Sequence, residues 1–185
     1  MPNVVSNVTA GKPNPTGAVF RAPIGTTLPT DTDTALDEAF VCLGFCSDDG
    51  VTNSGEMDSE NIKAWGGQTV LVTSTSTDDT FQFKLIEALN VEVKKFIYGD
   101  NNVTGNLTTG MAVGVEGFSQ ADSAFVIEMK MRDNTKHRIV IPSASISEVG
   151  EITYSDSEAV GYEVTLSCAA DEAGKCHYEY TKRTA

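Results

Sequence analysis

The sequence predicts a mainly β protein, an antiparallel β-sandwich or barrel with one flanking α-helix, an N-terminal arm and a long polar loop. Three observations carry this expectation. Short runs rich in Val, Ile, Thr and aromatic residues alternate apolar with polar positions at a period of two. A single stretch has the apolar spacing of a helix. Two stretches, residues 1–15 and 46–67, have no apolar period.

The elements follow in order. Residues 1–15 hold several breakers and no apolar face, and read as an arm that needs a partner to become ordered. Residues 16–185 are expected to form one domain, because a chain of 185 residues can bury a sizeable core. Gly17 to Ala22 reads as a first strand, and Thr34 is placed to cap a helical turn over Ala35 to Glu38. Phe40 to Phe45 forms a second apolar run. Residues 46–67 keep only Val51, Met57, Ile62 and Trp65 as anchors, and a loop of that length is suited to contact with another subunit. Strands are expected over Gln68–Thr75, Thr80–Ile86, Gly110–Gly114, Ser123–Arg132, Thr135–Ile141, Ala144–Tyr154, Gly161–Cys168 and Cys176–Lys182. Asp133-Asn134 supplies turn chemistry between two of them. Asn90 caps a helix over about residues 91–98, ended by Gly99, whose Val93, Phe96 and Ile97 lie on one face and pack on a sheet.

Composition narrows the function. Thirteen basic against 26 acidic residues give a net charge of -13, so static binding to phosphate is disfavoured. Asp31 to Glu60 is acidic, with no Lys or Arg between Arg21 and Lys63. HExxH, GxSxG, P-loop and GxGxxG patterns are missing, and both histidines, His137 and His177, sit inside strand runs, so no enzyme and no cofactor is expected. Asp31-Thr32-Asp33 begins like a calcium loop, but Leu36 and Cys42 stand where Gly and Glu are required. Four cysteines are too few for a disulfide scaffold. They read as buried free thiols, with a Cys168–Cys176 bridge across a Gly174 turn as the other reading. No apolar leader follows Met1 and no apolar stretch approaches bilayer length, which predicts a soluble protein made in the cytosol, with no membrane partner.

Several segments together, TGAVFRAPIGTTLPTDTDTALDEAFVCLGF, DGVTNS with ENIKAWGG, FQFKLIEALNVEVKKFIYGDNNVTG, RIVIPSASISEVGEITY and AVGYEVTLSC, carry a whole-chain resemblance from Thr16 to about Tyr180. The chain resembles the major tail tube proteins of long-tailed, non-contractile phages and prophages of actinobacteria, related to the lambda tail tube subunit. The resemblance implies a virion protein, made in the host cytoplasm, that joins sideways into hexameric rings. The rings stack into a hollow tube through which genomic DNA passes. Tape measure, tail terminator and distal tail proteins are the implied partners.

On that reading an acidic or neutral wall keeps DNA moving, because repeated fixed cations would hold it fast. Glu163, Thr165 and Ser167, short, polar and never basic, are the lumen candidates, with Glu128 a weaker one because Lys130 shares its face. Asp48, Asp49, Glu56, Asp58, Glu60 and Trp65 are the ring-stacking candidates. The alternative function is an acidic β-sandwich binding module, an adhesin or tail-tip domain for carbohydrate or cell surface. It would use exposed aromatics, for which Tyr154, Tyr162, Tyr178 and Tyr180 are the candidates.

Overall fold

The computed structural model describes residues 3–119 and 121–183; Met1 and Pro2 of the arm and the last two residues of the domain lie outside them. The fold is mainly β and antiparallel, with one α-helix. Its strands are β1 (Lys12–Pro13), β2 (Val19–Pro23), β3 (Val41–Cys42), β4 (Cys46–Lys63), β5 (Thr69–Leu85), β6 (Val103–Asn106), β7 (Gly110–Val113), β8 (Ser123–Lys130), β9 (Thr135–Val149), β10 (Tyr162–Cys168) and β11 (Tyr178–Arg183). The helix, α1, spans Val91–Tyr98.

Nine strands form one sheet in the order β3-β2-β8-β9-β10-β5-β4, with β1 beside β8 and β11 beside β9. The β8–β9 hairpin closes through Asp133 and Asn134, whose φ values of 56° and 54° are left-handed, a conformation Asp and Asn tolerate better than most residues. β9 is the spine. Its first half pairs with β11 and its second half with β10, while β8 runs along the other edge. Sequence alone suggested two strands here; one continuous strand forms, and it stops at Val149, short of Tyr154.

Alternation places one face of each strand in a shared core. Phe125, Ile127, Ile139 and Ile141 from β8 and β9 join Phe81, Phe83, Leu85, Tyr162, Val164 and Leu166 from β5 and β10 in one cluster. The sheet is therefore folded over on itself as a sandwich. The helix fills the gap between its halves, with Val93, Phe96 and Ile97 buried and Phe96 edge-on to Phe125 at 5.6 Å. Asn90 caps it, its side-chain oxygen accepting from the Glu92 amide at 3.0 Å, and Gly99 ends it at φ 97°.

Several expectations are corrected. Residues 46–67 are not a loop. Their first eighteen, Cys46–Lys63, are β4, paired with β5 from Cys46–Leu85 out to Lys63–Thr69, and the two runs expected at 68–75 and 80–86 are one strand. The chain turns back at Ala64–Gln68, where Gly66 and Gly67 adopt φ of 111° and 89°. No helical turn forms after Thr34. Instead Asp31 accepts from the Asp33 and Thr34 amides at 2.7 and 2.6 Å, a side-chain turn that outcompetes the helix. The arm is tied down in part without a partner: β1 pairs with Met129 and Lys130, and Thr9 Oγ1 accepts from the Arg132 amide at 2.9 Å. β6, unforeseen in its Gly- and Asn-containing sequence, pairs with β7.

Glu128 is also placed differently. It faces Arg138 across the hairpin, and their side chains are 15% and 7% exposed. Arg138 Nε donates to Glu128 Oε1 at 2.9 Å, and its Nη1 donates to the carbonyls of Asp31 and Thr34, each at 2.8 Å. Asn14 Nδ2 donates to the remaining Glu128 oxygen at 2.9 Å. One guanidinium thus joins β8 to the 31–34 turn, its partner Glu128 holds the arm through Asn14, and the Glu128 charge is matched internally instead of lining a wall. Removing one partner of such a pair strands the other. Arg138→Met should therefore lower stability by about 3–5 kcal/mol in chemical denaturation, and adding Glu128→Leu should recover most of the loss. An unchanged midpoint for the single variant would show the pair to be incidental.

Candidate functional site: a polar sheet face and a protruding ribbon

The face of β9, β10, β5 and β4 that points away from the core is polar across all four strands. Register sets it row by row. Thr165 lies between Gln82 and Glu148, Ser167 between Thr80 and Ser145, and Glu163 opposite Lys84. Gln82 Nε2 donates to Glu163 Oε1 at 2.7 Å, so neighbouring strands share polar contacts on this face. β4 continues the rows with Thr52 opposite Gln82 and Ser54 opposite Thr80. Beyond them come Glu56 opposite Asp78 and Asp58 opposite Ser76, whose hydroxyl donates to Asp58 at 3.2 Å. Glu60 follows on the same face by the strand period. On β10, β5, β4 and the second half of β9, Glu56, Asp58, Glu60, Asp78, Glu148 and Glu163 share the face with one base, Lys84, while the first half of β9 turns Lys136 and Arg138 away from the core, paired with Asp33 and Glu128. The lumen candidates Glu163, Thr165 and Ser167 are thereby united with three of the ring-stacking candidates, which composition had assigned to a loop.

Beyond Thr80, β5 has no neighbour except β4, since β10 pairs only with Thr80 to Leu85. The last stretch of the hairpin, Thr69 to Asp79 with its partners, is a two-stranded ribbon about 35 Å long at the usual rise per residue. Met57, Ile62, Val70, Leu71 and Val72 are exposed on it, and Trp65 at the tip is fully exposed. Isolated two-stranded ribbons are marginal in water, and both edges of this one present unpaired backbone groups. Asp48 and Asp49 lie within the body, in the bulge where β4 breaks register between Cys46 and Val51 opposite Phe83 to Leu85.

A family model described as phage tail tube protein matches residues 6–184. The chain belongs to the phage tail tube protein family. No curated protein matches it at a significant level, so the assignment rests on that family model. A tail tube protein is a structural component of the virion that assembles with itself into a tube, and here the exposed ribbon and polar face are the surfaces such an assembly has available.

The tail tube protein anchors its ribbon at the foot through His177. The ring is edge-on to Phe81 at 5.2 Å and its Nδ1 contacts Asp79, which also accepts from Asn53 Nδ2 at 2.7 Å. Cys168 lies nearby. All four cysteines are half-buried free thiols, and the Cys168–Cys176 bridge, the other reading, is not formed. Burial, reinforced by Asp79 and Cys176, pushes the Cys168 thiol up to about 12, and burial pushes Cys46 up to about 11. Such thiols stay protonated and unreactive near neutral pH. Among the described residues no group of His, Cys, Asp and Glu is arranged to hold a metal ion. The aromatic candidates do not converge: Tyr162 is in the core, Tyr178 stacks on Tyr180 in β11, and Tyr154 stands exposed on a loop.

Glu56 and Asp78 are like charges directly across a ladder, an arrangement that costs about 0.2–1 kcal/mol. Glu56→Lys in the tail tube protein should therefore slow amide hydrogen exchange in the ribbon around Thr77 to Asp79, by up to about fivefold. Unchanged or faster exchange there would contradict the register.

Proposed function

We propose that the chain closes sideways into hexameric rings that stack into the hollow tube of a long, non-contractile phage tail, with the polar face of β9, β10, β5 and β4 turned to the lumen. The carrying observation is the sign of that face, where carboxylates line up across β10, β5, β4 and the second half of β9 against the single Lys84. Duplex DNA carries about one charge per 1.7 Å, and a protein neutralising even 6 to 10 phosphates binds in a strongly salt-dependent way. A wall of opposite sign, repeated ring upon ring, would immobilise the genome. A carboxylate wall repels it over a Debye length of about 10 Å.

In this reading Glu163, Thr165, Ser167 and Glu148 form the wall, and Glu56, Asp58 and Glu60 extend it along the ribbon. Trp65, Asp48 and Asp49 remain for contacts between rings, and the arm, residues 1–15, forms a joint to a neighbouring subunit around a domain of residues 16–185. Pairing the open edges of β4 and β5 with another copy satisfies their backbone groups and closes the ring. The chain is made in the host cytoplasm and meets the tape measure protein inside the tube and terminator and distal tail proteins at its ends.

Glu163→Lys tests the wall in an intact particle. Assembly should be normal, while genome ejection slows, most strongly at low salt where screening is weak. Ejection kinetics equal to wild type at low ionic strength would remove Glu163 from the lumen.

A further inference from the structure

A groove of about 830 Å³ opens just past the end of β5, between the start of the helix, the β6–β7 turn and the loop before β10. Ile86, Leu89, Leu107, Tyr154 and Val160 line it, and Leu89, Leu107 and Tyr154 are more than half exposed although apolar. The ribbon tip, with Trp65 fully exposed, lies at the opposite end of the same strand. β5 has 17 residues from Thr69 to Leu85, so tip and groove are about 50 Å apart along one direction. A tube built from identical chains requires that every head-to-tail contact find both of its halves on one chain.

We propose that the tip around Trp65 of one copy seats in the Leu89, Leu107 and Tyr154 groove of the next copy along the tube axis. The proposal rests on the tube reading above. Its geometry is heterologous and open-ended, as a stack needs, and Trp is among the residue types enriched at the hot spots of interfaces. Charge is complementary. Lys63, beside the tip, is the single Lys or Arg between Arg21 and Lys84, and although Glu87 and Lys94 in the groove offset each other, the loop that flanks it carries Asp156 and Glu158. For a chain of net charge -13, such a pairing offsets some of the repulsion between copies.

Trp65 is the chain's only tryptophan, so its fluorescence reports the contact without a label. Wild type should shift its emission to the blue when it assembles, with assembly followed independently by sedimentation and electron microscopy. Leu107→Asp keeps its Trp but loses its groove, and alone should show no shift. Trp65→Ala keeps its groove but has no Trp. Mixed, the two should restore the blue shift, because the Leu107→Asp tip can enter the Trp65→Ala groove. Both positions are exposed, and circular dichroism equal to wild type checks that both variants fold. Tubes whose Trp emission stays that of an exposed ring would overturn the proposal and leave the tube reading standing. A mixture that fails to restore the shift, or a shift abolished by Val5→Asp in the arm with the Leu107→Asp variant still shifting alone, would place the tip elsewhere and also overturn it. A wild-type chain that never assembles would remove the tube reading and the proposal together.

Discussion

The backbone of the ribbon has hydrogen-bond partners on one side only, and this constraint organises the rest of the molecule. From Thr80 to Leu85, β5 is an interior strand, flanked by β10 and β4, with Phe81, Phe83 and Leu85 in the core. From Asp79 back to Thr69 the same strand leaves the sandwich with only β4 beside it. A strand that is core at one end and unsupported at the other needs a firm foot. His177, Asp79, Asn53 and Phe81 supply it. The body can hold such a lever because its own two halves share one core and because Arg138 fixes the 31–34 turn, and its partner Glu128 the arm, to the outer face. Stability in the body and incompleteness in the ribbon are complementary: the first gives a firm subunit, and the second leaves open strand edges that another copy can pair.

Electrostatics follows the same division. Charges within the body are matched locally, as in Glu128 with Arg138 and in Asp33, whose carboxyl is held down to about 2 by hydrogen bonds from Lys136 and Lys182. Charges on the polar face are not matched. Glu56 and Asp78 oppose each other directly, and Glu163 receives a neutral amide from Gln82, with Lys84 opposite it in register. A face that keeps uncompensated carboxylates, at a cost in folding stability, suits a surface whose task is to repel a polyanion.

The body was legible in the sequence because hydrophobic period reports burial. The alternation of Tyr162, Val164 and Leu166 with Glu163, Thr165 and Ser167 marked both the strand and its two faces. Asn90 and Gly99 bracketed the helix, and Asp133-Asn134 marked a turn. β4 was missed for the same physical reason. From Asn53 to Lys63 it buries nothing, so it has strand geometry without a strand's pattern, and the signal that remained was Gly66-Gly67 between two polar runs. Glu128 was misread because alternation gives a face and not a partner. Counting outward from the Asp133-Asn134 turn pairs it with Arg138, and that step turns a wall candidate into a structural ion pair. The union of Glu56, Asp58 and Glu60 with Glu163 on one face depends on the β4–β5–β10 register, which no local pattern encodes.

The central claim is that this tail tube protein turns the polar face of β9, β10, β5 and β4 toward the lumen. An electron cryo-microscopy reconstruction of tubes assembled from the purified chain tests it most directly. The account predicts a lumen lined by Glu148, Glu163, Thr165 and Ser167, with the ribbon crossing to an adjacent subunit. A lumen lined by Lys and Arg side chains, or this face on the outer surface of the tube, would contradict it.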